Sequence, residues 1–99
     1  MQFHWWRYAV PGWVETASWL DDLRRAGKIR RIGGTNFDTP RVLAMIDSGV
    51  PLSSMQVQYS LLDRRPEKSM VKVARERGIA LFCYGTVAGG FLGERWLGQ

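Results

Sequence analysis

The chain has 99 residues, a formal net charge of +5, 45% hydrophobic and 23% charged side chains, one cysteine and one histidine. That length fits one domain, and the apolar share excludes a disordered tail. The single cysteine and single histidine exclude an internal disulfide, a multi-cysteine zinc site and a paired-histidine metal motif.

Met1–Trp5 is an apolar, aromatic run that can form a first strand. After the loop pair Pro11-Gly12, Trp13, Ala17, Leu20 and Leu23 recur at three- and four-residue spacing and predict a helix over about Trp13–Ala26 with one buried face, stopped at Gly27. Lys28–Thr35 reads as a second strand, in which Gly33-Gly34 implies close backbone approach. A second helix starts at Thr39-Pro40, with Thr39 as N-cap, Pro40 at the first helical position and Val42, Leu43 and Ile46 facing inward. Gly49-Val50-Pro51 closes it. Ser54–Tyr59 is the third strand. The third helix begins near Pro66, carries Met70, Val71 and Ala74 inward and stops at Gly78. Ile79–Tyr84 is a near-continuous apolar strand of the kind covered on both faces in a parallel sheet. A glycine-rich tail follows.

The predicted order is β-α-β-α-β-α-β, an α/β fold with parallel strands and right-handed crossovers. Two architectures fit, an open doubly wound sheet or part of a (β/α)8 TIM barrel. In both, functional residues gather at the C-terminal ends of strands. Here those ends carry His4, then Thr35-Asn36, then Gln56 with Gln58-Tyr59, then Tyr84-Gly85. They include no close carboxylate pair for glycosidase chemistry. The chain also lacks a Gly-x-Ser-x-Gly elbow, a Walker loop and a Gly-x-Gly-x-x-Gly turn.

The segments Gln2–Trp6, Gly27–Phe37, Gln56–Leu62 and Cys83–Thr86, in that order, resemble the aldo-keto reductases across essentially the whole chain. The run Gly27-Lys28-Ile29-Arg30-Arg31-Ile32-Gly33, ending in Thr35-Asn36-Phe37, carries most of the specificity. The resemblance implies residues 1–99 as a fragment of a (β/α)8 oxidoreductase barrel, from its fourth strand to just beyond its seventh. It implies NADP(H) as cofactor and a small carbonyl compound as substrate. His4 matches the histidine that polarises the substrate carbonyl. Thr35 and Asn36 match the pair that hydrogen-bonds the nicotinamide carboxamide, and Gln56 the glutamine that binds the same amide. Tyr84 matches the aromatic residue stacked on the nicotinamide ring. Gly85–Gly90, with Gly85 and Val87, resembles the loop approaching the pyrophosphate. Trp5 has two readings of equal standing, a border of the substrate pocket or a packing residue.

The family's general-acid Tyr and its Lys and Asp partners match no position here, and Tyr8 and Tyr59 stand elsewhere. The chain alone is therefore expected to be inactive, with weak or no cofactor binding. Its alternative role is that of a non-catalytic half-barrel, self-associating or pairing with another chain through exposed strand edges. The basic residues are spread over loops and helix ends, where the dipole favours cations, so no nucleic-acid partner is expected. Cys83 reads as a buried, inert thiol. No apolar run reaches the roughly 20 residues of a membrane span, and Met1–Val10 lacks the apolar core of a secretion signal. The expectation is a cytoplasmic protein without a membrane partner.

Overall fold

The computed structural model describes residues Met1–Gln99. Four strands form one sheet in chain order: β1 (Gln2–His4), β2 (Ile32–Thr35), β3 (Leu52–Gln58) and β4 (Ala80–Tyr84). Each pairs in parallel with the next. The crossovers carry α1 (Trp13–Arg25), α2 (Thr39–Asp47) and, after a 3₁₀ turn at Arg65–Lys68, α3 (Met70–Arg77). No helix is long and apolar enough to cross a membrane.

Alternation along the strands separates two faces. Phe3, Met55 and Val57 are buried among Ala17, Val42, Met45, Met70, Val73 and Ala74 of the helices. The opposite face carries Gln2, His4, Thr35, Ser54, Gln56 and Gln58, none of them buried. All three helices therefore cover one side. A doubly wound sheet has helices on both sides, whereas a barrel keeps its helices outside and its other face inward. The sequence left these two architectures open, and the one-sided cover favours the barrel.

Gly34 sits where β2 crosses the core. A Cβ there would lie 2.5 Å from Met55 Cε and 3.2 Å from the Phe37 ring, so the close approach expected of Gly33-Gly34 is a packing requirement. Gly78 ends α3 with φ 68°, a left-handed conformation that glycine adopts without steric cost.

Several boundaries and orientations differ from expectation. β2 begins at Ile32, because α1 ends in a turn at Ala26-Gly27 and Lys28–Arg31 is an irregular connection. The N-cap of α2 is Asp38: its Oδ1 accepts from the Arg41 amide at 3.0 Å, and Thr39 is the first helical residue. On α1, Leu23 is exposed and Asp21 is buried in its place. Asp21 Oδ1 accepts from Arg24 Nε at 2.7 Å, and its Oδ2 is ion-paired with Arg25 Nε at 2.9 Å, so the buried carboxylate is compensated from both sides. Met45 and Val73, not singled out from the sequence, are core residues, while Val71 is only half-buried.

β4 departs furthest. Its apolar run predicted burial on both faces, yet Phe82 is 55% exposed and Cys83 is exposed. β4 is a sheet edge, and its Phe82 side lies on the uncovered face. Beyond it the chain continues through 3₁₀ turns at Ala88–Gly90 and Glu94–Trp96. The radius of gyration is 15.7 Å, against about 13 Å for a compact chain of this length.

Candidate active site

Register places the predicted residues in one row. His4 pairs with Thr35, Thr35 with Gln56, and Gln56 with Phe82, so four neighbouring strands present side chains at one level on the uncovered face. The next level holds Gln58 opposite Tyr84. One hydroxyl, one imidazole and two amides thus stand beside two aromatic rings, a set able to donate to and accept from a planar amide while covering a ring face.

Asn36 is where the row turns into the β2–α2 loop. Its φ is +57°, a left-handed conformation that asparagine tolerates better than most residues. Its amide donates to Gln56 O at 2.9 Å. Its Oδ1 accepts from Tyr84 Oη at 2.7 Å, and its backbone carbonyl accepts from Tyr8 Oη at 2.7 Å. The bond between Asn36 and Tyr84 joins two residues 48 positions apart, both marked in the sequence as strand-end residues. Both line a cleft of about 520 Å³ with Gln58, Arg65 and Lys68.

Charge around this cleft is largely paired. Arg65 Nη2 lies 2.6 Å from Asp63 Oδ2, Arg64 Nη2 lies 2.7 Å from Glu67 Oε2, and Arg41 pairs with Asp38. The hydrogen bond from Arg65 holds the Asp63 carboxyl below the usual carboxylate range. Those from Arg64 and Tyr59 do the same for Glu67. Donating to Glu67 in turn raises the Tyr59 hydroxyl.

After β4, Gly85 has φ 65°, and a Cβ there would meet Gln58 Cγ at 3.4 Å. The Gly85 carbonyl accepts from the Ala88 amide at 2.9 Å, and that of Val87 from the amides of Gly90 at 3.0 Å and Leu92 at 3.1 Å. Val87 itself is exposed. The loop is thus built on backbone bonds and close to the row's upper end.

Trp5 lies on the helix side of β1. It packs edge-on against Phe3 at 6.1 Å between centroids, and its Nε1 donates to Val10 O at 3.0 Å. It anchors the Arg7–Gly12 loop. Trp6, which the sequence did not single out, lies over His4 with centroids 4.1 Å apart and is 83% exposed. Two-residue alternation from His4 is the signal that could have found it. Tyr8 was likewise set aside, and no short-range pattern links it to Asn36.

The aldo/keto reductase family model matches residues 1–97. The chain is 38% identical over 96 residues to the aldo-keto reductase YhdN of Bacillus subtilis, covering 92% of this chain and 27% of that protein. It is 34% identical over 79 residues to the NADH-specific methylglyoxal reductase of Escherichia coli, covering 80% of this chain and 24% of the relative. The chain thus spans about a quarter of the length of these relatives. Among solved structures, the holo form of an aldo-keto reductase from Bacillus halodurans superposes with a TM-score of 0.79 at 32% identity, covering 99% of this chain and 33% of that one. The glycerol dehydrogenase of Gluconobacter oxydans gives 0.79 at 31%, covering 92% and 27%. The four parallel strands are part of a (β/α)8 barrel, with the uncovered face as its interior.

Proposed function

Because this chain belongs to the aldo/keto reductase family, we propose that it supplies the nicotinamide-facing part of an NADP(H)-dependent oxidoreductase acting on aldehydes and ketones. The observation that carries this reading is the row His4–Thr35–Gln56, with Asn36 and Tyr84 hydrogen-bonded at its end. Two side-chain amides and a hydroxyl fit a carboxamide, which needs both donors and acceptors, and the Tyr84 ring fits the flat face beside it. The cofactor, when bound, supplies the hydride.

In this reading Thr35, Asn36 and Gln56 hold the carboxamide and Tyr84 fixes the ring face. The Gly85–Val87 turn brings backbone amides toward the pyrophosphate. His4 donates a hydrogen bond to the substrate carbonyl oxygen, stabilising the charge that develops there. Trp6 restrains the imidazole from one side, and Trp5 shapes the pocket through the loop it anchors. Proton delivery falls to the family's Tyr, Lys and Asp, which match no residue in these 99. Since the methylglyoxal reductase relative is NADH-specific, the test includes both dinucleotides.

Two assays check this. The 99-residue chain alone, with NADPH or NADH and methylglyoxal, is expected to give no absorbance loss at 340 nm above a protein-free control. Turnover near the common enzymatic range of about 1 s⁻¹ or faster would contradict that. Residues 1–97 grafted in place of the matching stretch of the B. subtilis relative are expected to retain reductase activity. His4→Ala in the graft should then reduce kcat by about a hundredfold, the usual effect of removing one such donor. A folded but inactive graft would refute the proposed site.

A second reading is favoured by the unpaired edges of β1 and β4 and by the exposure of Phe82. The chain then associates with itself through its edges. Sedimentation velocity is expected to show mass rising with concentration, and a monomer throughout would dismiss this reading.

A further inference from the structure

We propose that Tyr8 is a positioning residue of this site, whose hydroxyl holds Asn36 in its left-handed conformation and thereby fixes the Asn36 amide beside Tyr84. The proposal rests on the nicotinamide reading of Asn36 given above. A non-glycine residue at positive φ persists only where its surroundings hold it. The Asn36 amide bond to Gln56 extends the strand ladder and does not by itself orient the following peptide plane. That plane carries the Asn36 carbonyl, and its partner is Tyr8 Oη at 2.7 Å, from a residue 28 positions earlier.

Tyr8 is itself held on two sides. The Arg41 guanidinium carbon lies 4.0 Å from its ring centroid, and the Phe37 ring packs at 5.7 Å. Arg41 also pairs with Asp38, the α2 cap, so helix start, aromatic ring and Asn36 form one connected unit. Partial burial and the Asp38 charge raise the Tyr8 hydroxyl above its ordinary value, with Arg41 opposing, which keeps it a neutral donor. Tyr8 therefore acts on the site through Asn36, with no contact to cofactor or substrate required.

Tyr8→Phe in the 99-residue chain tests this by NMR. The variant keeps the ring, its Arg41 contact and its packing, and removes only the donor. The strong intraresidue HN–Hα NOE that marks positive φ at Asn36 is expected to weaken. Affinity for nicotinamide mononucleotide, measured on the folded chain, should fall about fivefold, the worth of one net hydrogen bond. A merely structural role would lower the thermal midpoint and leave both readouts unchanged. A wild-type NOE and affinity in Tyr8→Phe would overturn the proposal. In the unsubstituted chain, NOEs from the Tyr8 ring to the Asn36 and Phe37 backbone are expected, and their absence would overturn it even if the variant fails to fold. If the unsubstituted chain shows no response to the mononucleotide, the nicotinamide reading fails, while the Asn36 NOE still decides whether Tyr8 sets its backbone.

Discussion

Phe37→Ala is expected to abolish the cooperative thermal transition or lower its midpoint by more than about 12 °C. Phe37 is 2% exposed, and its ring packs on Phe3 at 5.2 Å, Tyr8 at 5.7 Å and Trp13 at 6.1 Å. It therefore joins β1, the loop after β1, α1 and the β2–α2 turn. Truncating a buried phenylalanine costs about 3–5 kcal/mol, through lost transfer energy and an unfilled cavity. Domains hold only about 5–15 kcal/mol in total, and a sheet covered on one side has fewer contacts to spare. Each 1 kcal/mol moves the midpoint of a domain this size by about 4–8 °C. Circular dichroism melts decide it, and a midpoint within a few degrees of the original would show that this aromatic cluster does not hold the fold. Phe37→Leu, which keeps most of the volume, should fall between the two.

The second large effect concerns the row of amides. Asn36→Gly combined with Gln56→Ala is expected to weaken nicotinamide mononucleotide binding about thirtyfold, while the chain stays folded. Glycine adopts positive φ freely, so the first substitution removes the side chain without straining the backbone. Gln56 is half-buried on the uncovered face, outside the core, so its truncation leaves packing intact. Each lost hydrogen bond contributes about 1 kcal/mol net, and two give about 2 kcal/mol. An unchanged affinity in a folded double variant would remove these residues from the site.

The strand ends were legible in the sequence because parallel β-α alternation forces chemistry-bearing residues to successive C-terminal edges. His4, Thr35, Gln56 and Tyr84 all stand there, and the segment similarity that pointed to the family is matched by the family model. Other features depend on what lies across the sheet. The Ile79–Tyr84 run reads as doubly covered, but hydrophobicity does not reveal that β4 is a sheet edge with one uncovered face, so Phe82 emerges exposed on that face and Cys83 on the helix side of the edge. Asp21 escaped because a carboxylate on an apolar face becomes tolerable only when Arg24 and Arg25 fold back onto it. The Thr39 cap failed narrowly, since Asp38 is an equally good cap one residue earlier and its carboxylate also reaches Arg41. Tyr8 was invisible because its contact with Asn36 spans 28 residues and exists only once α1 has brought β1 beside β2.

The most direct measurement is a titration of the ¹⁵N-labelled 99-residue chain with nicotinamide mononucleotide, followed residue by residue. If the uncovered face is the nicotinamide site, saturable shifts at His4, Thr35, Asn36, Gln56 and Tyr84 are expected, with a dissociation constant of about 1 mM or weaker, a free energy of about −4 kcal/mol. Shifts confined to α1, α2 and α3, or none up to the solubility of the mononucleotide, would contradict it.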